Sequence, residues 1–197
     1  MNTLNFYNSQ SKELIKNYDN ADMSKLHKLF LQYIKPESTV LDIGFGSGRD
    51  LQFLKENSYD IWGIDPSRKF VQNTQTKFSD ISNHFIMNKV PFSTDQTTFK
   101  IKFDAIIMIA VWMHLKKEQY ENVVNDIISM TEDKASVIIS YSKGSRSEDQ
   151  RYFEDVDLEY IIQLFTQHNF TLIRKTFTKD SLNRDALTWI TIVFRHD

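Results

Sequence analysis

The chain has 197 residues, enough for one domain with a sizeable core but little more. Hydrophobic residues make up 41% and charged residues 25%, as in ordinary globular proteins, and a net charge of −2 gives no overall attraction to nucleic acid or to an anionic membrane. Because cysteine is absent, disulfides, thiolate catalysis and cysteine-bound metals are excluded. We see no signal-peptide pattern and no apolar run near the ~18 residues of a membrane helix, so we expect a cytoplasmic protein with no membrane segment.

Apolar periodicity predicts helices and strands in alternation along the chain. The first helical region spans 8–35, breaks at 20–22 and stops at Pro36, which cannot continue a helix. Further helices are predicted at 50–57, 67–78, 116–130 and 158–167. Short apolar runs predict strands at 40–43, 61–64, 84–87, 103–109, 135–141, 171–176 and 188–194. The polar stretch 143–150 is expected to form a mobile loop.

This order of elements predicts an α/β fold with a Rossmann-like, doubly wound, mostly parallel seven-stranded sheet. The connection at 177–187 is too short and too charged for a crossover helix, so the last two strands are expected to form a C-terminal antiparallel hairpin. We assign residues 1–35 to an N-terminal helical cap and residues 36–197 to one compact binding domain.

The first predicted strand runs into a glycine-rich turn that opens a helix. Only five glycines occur in the chain, and Gly44, Gly46 and Gly48 are concentrated here, where they allow the backbone to approach a ligand closely. The carboxyl end of a strand meeting a helix N-terminus forms the crevice in which open α/β sheets bind nucleotides. Asp65 ends the next predicted strand, at the distance of about twenty residues where a carboxylate can hold both ribose hydroxyls.

Two features argue against a dinucleotide cofactor. The dinucleotide fingerprint is G-x-G-x-x-G, whereas this turn reads G-x-G-x-G and continues with Arg49. Asp42 also stands inside the strand, two residues before the first glycine, where its carboxylate would repel a diphosphate. A ligand that carries an ammonium and a sulfonium group suits this carboxylate better.

The segment from Asp42 to Gly48 resembles motif I of the class I S-adenosylmethionine-dependent methyltransferases, and 61–65 resembles their second motif. Residues 103–115 are similar to their fourth motif, in the variant with an aromatic residue and a histidine after the strand. The resemblance spans 38–141 in order and spacing, and the closing hairpin also fits this family. It implies S-adenosyl-L-methionine as the cofactor and methyl transfer as the reaction.

The family's cofactor contacts, transferred to the matching positions, involve the strand ends and the N-terminal region. The implied cofactor-binding residues are Asp42, Gly44, Phe45, Gly46, Gly48, Asp65, Pro66, Ser67, Asn88, Ala110, Val111 and Tyr18. Asn88 departs from the pattern, since an acidic residue often receives the adenine amino group there, although an amide carbonyl can accept the same bond. Phe45 replaces a small residue, and either narrows the pocket or packs under the sheet.

Candidate residues for the reaction itself are fewer. His114 is the only neutral-pH base near the predicted site, and it either deprotonates an acceptor hydroxyl or simply starts the following helix. Tyr7, Trp112 and Tyr141 are candidate substrate-binding residues, with core packing as the alternative for the last two. Lys143, Arg146 and Arg151 form a basic cluster that is either a solvated loop or an anion site. No histidine has a metal-ligand partner at useful spacing, so no metal is expected.

The acceptor is expected to be a small molecule. The chain has no basic stripe, and Ala110–Met113 replaces the Asn/Asp-Pro-Pro-aromatic motif of amino-methylating nucleic-acid enzymes, so no nucleic-acid partner is expected. The alternatives are a non-catalytic S-adenosylmethionine-binding regulator and, less favoured by the glycine spacing, a nicotinamide-dependent oxidoreductase. Neither the oligomeric state nor the methylated atom follows from the sequence.

Overall fold

The computed structural model describes residues 3–92, 99–144, 146, 149–180 and 187–197. The helices are α1 (Thr3–Ser9), α2 (Ser11–Asp19), α3 (Ser24–Tyr33), α4 (Arg49–Glu56), α5 (Arg68–Lys77), α6 (Tyr120–Ser129) and α7 (Leu158–Thr166). The strands are β1 (Thr39–Ile43), β2 (Asp60–Asp65), β3 (Phe85–Met87), β4 (Phe103–Ile109), β5 (Thr131–Gly144), β6 (Phe170–Lys179) and β7 (Leu187–His196). Short 3₁₀ turns lie at Ser79–His84, Trp112–His114 and Lys117–Gln119.

The strands form one seven-stranded sheet in the order β3-β2-β1-β4-β5-β7-β6. Strands β1 to β5 pair in parallel, whereas β7 is antiparallel to both β5 and β6. The predicted doubly wound sheet with its C-terminal hairpin is therefore confirmed. The strand order reverses between β1 and β4, and such a switch point opens a crevice at the carboxyl ends of the strands. Within the described ranges, no helix has the length and apolar character needed to cross a membrane.

The sheet is covered on both faces, which explains the continuous apolar runs of its central strands. Side chains alternate along β4: Ala105 and Ile107 pack in one cluster with α3, α4 and α5, whereas Ile106 and Met108 pack in the other with α6 and α7. All four are fully buried. This two-sided burial holds β1 and β4 rigidly, so the loops at their carboxyl ends have a fixed base.

Several predicted boundaries differ from those of the structure, and two of the differences bear on the site. The N-terminal helical region begins at Thr3 rather than at residue 8, and α1 is separated from α2 at Gln10. Lys143 lies in β5 rather than in a loop, because antiparallel pairing with β7 continues to Gly144 and Leu187. Of the remaining predicted loop, residues 145, 147 and 148 lie outside the described residues.

Candidate functional site

A cavity of about 1190 Å³ opens at the carboxyl ends of β1, β2 and β4, where the strand order reverses. Most of the residues predicted from the sequence line this cavity together. They are Tyr7, Tyr18, Asp42, Gly44, Phe45, Gly46, Asp65, Pro66, Ser67, Asn88, Ala110, Val111 and His114. The fold therefore brings residues from the N-terminal helices and from four loops to one site.

The glycine turn after β1 adopts a backbone that other residues rarely accept. Gly44, Gly46 and Gly48 have φ values of 78°, 55° and 74°. A Cβ atom at Gly44 would lie 2.3 Å from Cγ2 of Val111, and one at Gly46 would lie 3.6 Å from the Tyr18 ring. The turn is thus enclosed by Val111, two residues after β4, and by Tyr18 of α2. Gly48 lies next to Thr74 and Phe78 and does not line the cavity.

Asp65 joins the glycine turn to the start of α5. Its Oδ2 accepts a hydrogen bond from the Gly46 N–H at 2.9 Å, and its Oδ1 accepts one from the Ser67 N–H at 2.7 Å. Burial raises the pKa of Asp65 to about 6, although these two backbone bonds act in the opposite direction. Each carboxylate oxygen keeps a further lone pair, so Asp65 can accept from a ligand's hydroxyl groups as well.

Asp42 places a second carboxylate in the cavity, at the end of β1. It is only 2% exposed. Burial raises its pKa well above the usual range, and the carboxylates of Asp50 and Asp65 add to this shift while Arg49 opposes it. A buried carboxylate in this position favours a cationic neighbour, and a ligand's ammonium group would supply one.

The start of α4 carries an ionic cluster that the sequence did not reveal. Arg49 binds the Asp50 carboxylate through Nε at 3.1 Å and Nη2 at 2.8 Å, and Nε2 of His27 lies 2.8 Å from Asp50 Oδ1. Burial alone would raise the pKa of Asp50, but Arg49 and His27 lower it to about 2. Arg49 also donates to the Tyr18 carbonyl at 3.1 Å, so the cluster fixes α2 and α3 against the glycine turn.

His114 is neutral and already bonded on both ring nitrogens. Its Nδ1 lies 2.7 Å from the Tyr152 carbonyl, which can only accept, so Nδ1 carries the proton. Nε2 therefore accepts from the Tyr7 hydroxyl at 2.8 Å. Burial lowers the pKa of His114 to about 4, and the charges of Arg151 and Arg146 contribute to that shift. In this arrangement the histidine fastens α1 to the turn that follows β4.

Further polar contacts hold α1 over the cavity. Arg151 Nη1 donates to the Tyr7 hydroxyl at 3.1 Å, the Ser67 hydroxyl donates to Asn8 at 2.9 Å, and the Tyr152 N–H donates to Thr3 at 2.9 Å. None of the α1 residues is fully buried. The helix is docked by hydrogen bonds and by the half-buried Tyr7 ring against Phe70, so we expect it to open more readily than the helices that contribute fully buried residues.

Two of the predicted substrate residues lie elsewhere. Tyr141 is fully buried, packs with the α6–α7 cluster, and is not at the strand end because β5 continues to Gly144. Its neighbour Ser140 points to the opposite face and lines the cavity instead. Trp112 is also fully buried, with its ring 5.1 Å from that of Tyr120.

Among the described residues, no group of three or more His, Cys, Asp or Glu side chains could hold a metal ion. Two of the three basic residues of the predicted cluster are engaged: Arg146 lies over the Phe153 ring at 4.0 Å, and Arg151 binds Asp149 and Tyr7. Lys143 pairs with Asp155 at 2.9 Å on the surface.

The sheet order, the closing hairpin and the glycine turn define the class I methyltransferase fold. Residues 15–186 match the family described as a methyltransferase domain, and the chain belongs to this family. It is a methyltransferase by family as well as by fold. No curated protein matches its sequence significantly.

Solved structures of similar fold cover nearly the whole chain at low identity. The 1,6-didemethyltoxoflavin-N1-methyltransferase of Burkholderia thailandensis, with bound 1,6-didemethyltoxoflavin and S-adenosylhomocysteine, has a TM-score of 0.77 at 14% identity, covering 98% of this chain and 86% of that chain. The magnesium protoporphyrin IX methyltransferase of Synechocystis PCC 6803 with bound S-adenosylhomocysteine has a TM-score of 0.72 at 13% identity, covering 98% of this chain and 97% of that chain. The N-methyltransferase NodS of Bradyrhizobium japonicum WM9 in complex with S-adenosylhomocysteine has a TM-score of 0.70 at 15% identity, covering 96% of this chain and 97% of that chain.

Proposed function

We propose that this protein transfers a methyl group from S-adenosyl-L-methionine to a small-molecule acceptor. The observation that carries the proposal is the pair of buried carboxylates, Asp42 and Asp65, at either side of a glycine turn in one cavity. Asp65 suits a ribose diol, and Asp42 suits an ammonium group. Similar folds crystallised with S-adenosylhomocysteine support the same cofactor.

The residues around the turn fit this cofactor by shape as well as by charge. Gly44 and Gly46 line the cavity with main chain alone, so a ligand can approach the backbone of the turn closely. Pro66, Ser67 and Asn88 lie beyond Asp65 in the cavity lining and would face the adenine. Ala110 and Val111 line the cavity after β4, on the side away from Asp65, where the reacting group would lie.

S-adenosylmethionine supplies an already activated methyl group at a sulfonium centre, so the protein's work is alignment and exclusion of water. Asp42 would hold the ammonium group of the cofactor and Asp65 its ribose, and the ends of β1 and β2 fix the positions of these two carboxylates. Tyr7 and Tyr18 cover the cavity from the N-terminal helices. His114 acts in this proposal as a positioning residue rather than as a base, because its Nε2 is occupied by Tyr7.

The acceptor is proposed to be a small molecule because the cavity lies beneath an N-terminal cap. We limit the movable part of the predicted cap, 1–35, to α1 and α2, since Leu26 and Phe30 of α3 are core residues. A cytoplasmic location and the lack of a nucleic-acid partner remain part of the proposal, supported by the absence of cysteine and the small net charge.

A thermal-shift comparison of S-adenosylhomocysteine with NAD tests the cofactor. At 100 times its dissociation constant a ligand adds about 2.7 kcal/mol, which corresponds to a rise of roughly 5–10 °C in Tm for a chain of this size. We expect this rise with S-adenosylhomocysteine and none with NAD. The reverse result would favour the oxidoreductase. Cofactor binding without transfer of a labelled methyl group to any component of a metabolite extract would favour the non-catalytic regulator.

A further inference from the structure

Arg151 lines the cavity on the side that α1 covers, and its side chain is only 14% exposed. The guanidinium lies over the rings of Phe6, Tyr7 and Phe153, with Cζ at 5.1, 5.5 and 5.0 Å from the three ring centroids. A planar guanidinium packs well against aromatic faces, so these rings restrict its orientation. Its N–H groups therefore have fixed directions before any ligand binds.

The hydrogen bonds of Arg151 leave part of this guanidinium unused. Nε and Nη2 donate to the carboxylate of Asp149, and Nη1 donates to the Tyr7 hydroxyl at 3.1 Å. Because a guanidinium has five N–H groups, one N–H on Nη1 and one on Nη2 have no acceptor among the described residues. Two donors on neighbouring nitrogens suit an oxyanion such as a carboxylate.

The neighbouring charges do not cancel the attraction of Arg151 for an anion. Asp149 neutralises one positive charge, but Arg146 brings a second, over the Phe153 ring at 4.0 Å. His114 responds to all three charges. Burial is the main cause of its low pKa, and Arg151 and Arg146 each lower this pKa by more than Asp149 raises it. Of these three charges, the positive ones therefore dominate on this side of the cavity.

The cofactor's own carboxylate has a different arginine beside it. Arg49 follows the glycine turn and lines the cavity, and its charge opposes the rise that burial causes in the pKa of Asp42. Under the proposed function Asp42 marks the amino-acid end of the cofactor, so Arg49 lies next to that end. Arg151 instead bonds Tyr7, whose hydroxyl donates to His114 in the turn that follows β4. It therefore lies on the side where the reacting group is expected.

We propose that the methyl acceptor carries a carboxylate, and that Arg151 binds this carboxylate through Nη1 and Nη2 and so anchors the acceptor. This inference rests on the proposed function, because it takes the cofactor to occupy the side of the cavity at Asp42 and Asp65. It assigns the anion-binding alternative of the predicted basic cluster to Arg151. A neutral amide lacks the charge that Arg151 attracts, and an ammonium group is repelled, so the site should select carboxylates.

Three probes that share one ring system test this selection. Indole-3-acetate, indole-3-acetamide and tryptamine carry a carboxylate, a neutral amide and an ammonium group. Their binding is measured by calorimetry on the full chain saturated with S-adenosylhomocysteine, so that the cofactor side is already filled. We expect indole-3-acetate to bind at least about tenfold more tightly than either other probe, since charge-assisted hydrogen bonds exceed neutral ones by about this factor. Equal or weaker binding of indole-3-acetate, or none at millimolar concentration, would overturn the proposal.

Matched variants locate the preference. Arg151→Gln removes the charge and the paired donors, so the preference for indole-3-acetate over indole-3-acetamide should fall to about threefold or less. Tyr7→Phe also removes a contact of α1 but keeps Arg151, and Lys179→Gln removes an exposed charge of the cavity lining. Both controls should keep the preference. Loosening of the cap alone weakens all three probes together, so the ratio of affinities separates anion binding from a structural role of Arg151.

The variants also decide between the acceptor and the cofactor as the partner of Arg151. A preference that survives in Arg151→Gln, or that is lost equally in either control, would reject Arg151 as the anchor. Weaker binding of S-adenosylhomocysteine in Arg151→Gln, with no preference among the probes in wild type, would assign Arg151 to the cofactor's carboxylate and overturn the proposal. If Arg151→Gln does not fold, the wild-type ranking of the probes still decides. Failure of S-adenosylhomocysteine to bind wild type would instead reject the proposed function.

Discussion

At the scale of single residues, Asp65 is the group whose ionisation matters most for the cofactor. It accepts from two backbone N–H groups, yet burial still raises its pKa to about 6. The carboxylate is therefore ionised above pH 6 and protonated below it. A protonated carboxyl loses charge and accepting capacity, so its hold on a ribose diol should weaken as the pH falls through this value.

We expect Asp65→Asn to bind S-adenosylhomocysteine at least about tenfold more weakly than wild type at pH 7.5, and the gap to narrow toward pH 5, where wild type is itself protonated. Calorimetric titrations of both proteins from pH 5 to 8 measure this. Glu121→Gln, on an exposed position of α6, serves as the charge control. A constant affinity ratio across the range would show that Asp65 is not the titrating contact.

Gly44 gives a steric prediction. In Gly44→Ala the new Cβ would lie 2.3 Å from Val111 Cγ2, and the β-branched valine has little freedom to rotate away. The φ of 78° adds a backbone penalty, so the total cost is roughly 2–5 kcal/mol. Chemical denaturation should show this loss, and adding Val111→Ala should restore the steric part but not the backbone part. Equal stabilities of the single and double variants would place the strain elsewhere.

The site residues that the sequence predicted correctly are those whose position follows from the order of neighbouring elements along the chain. The glycine turn and Asp65 end buried strands, and strand ends meet at one edge of the sheet. Tyr141 was predicted by the same reasoning, but side chains alternate along β5, so Ser140 faces the cavity and Tyr141 faces the opposite side of the sheet. A shift of one residue in the assumed register reverses this assignment. His27 and Asp50 meet across two helices with no motif to indicate it.

At the scale of elements, α1 is a cap fastened by side-chain hydrogen bonds. Its Tyr7 hydroxyl lies between His114 and Arg151, and its Asn8 bonds Ser67 beside Asp65. Burial keeps His114 neutral, and the hydrogen bond from Tyr7 occupies its Nε2, so His114 is unavailable as a base while the cap is closed. Two roles of His114, positioning the cap and removing a proton, can be distinguished by experiment. They predict opposite changes in turnover when the Tyr7 hydroxyl is removed.

Tyr7→Phe keeps the ring but frees His114 Nε2. If His114 only holds the cap in place, the variant should turn over more slowly and the backbone amides of residues 3–9 should exchange hydrogen faster. If His114 is a base, the variant should turn over at least as fast as wild type, because its Nε2 is no longer occupied. We expect the slower turnover. His114→Ala should have a similar effect, and the double variant should be no worse than the worse single variant, since both remove one contact. Turnover in Tyr7→Phe at or above the wild-type rate, with loss in His114→Ala, would contradict this and restore the base.

For the whole molecule, the alternation of strands and helices was sufficient to predict the sheet and its hairpin. The hydroxyl-bearing part of the cavity lining was not predictable in this way. Ser140, Thr191 and Thr176 come from three strands, and they share a face only through the register of β5, β6 and β7, which shifts between Leu172 and Arg174. A one-residue irregularity of that kind leaves no periodic signal in the sequence.

The complete fold also predicts that cofactor binding and turnover can be separated by removing the cap. Deletion of residues 1–10 removes α1, which contributes no fully buried residue, and leaves the sheet and the Tyr18 side of the cavity in place. The truncated protein should therefore remain folded, as judged by cooperative thermal unfolding. Its affinity for S-adenosylhomocysteine should fall only severalfold, because Asp42, Asp65 and the glycine turn are retained.

Turnover of the truncated protein should fall further, by more than about tenfold, since water enters the site and Tyr7 no longer closes over it. Single-turnover transfer of a labelled methyl group, measured beside calorimetric binding on the same preparation, separates the two effects. A deletion of the C-terminal Asp197, which is exposed and distant from the cavity lining, is the matched control for truncation. Equal losses of binding and turnover, or full activity without α1, would show that the cap has no separate part in excluding water, and its side-chain contacts would then serve stability alone.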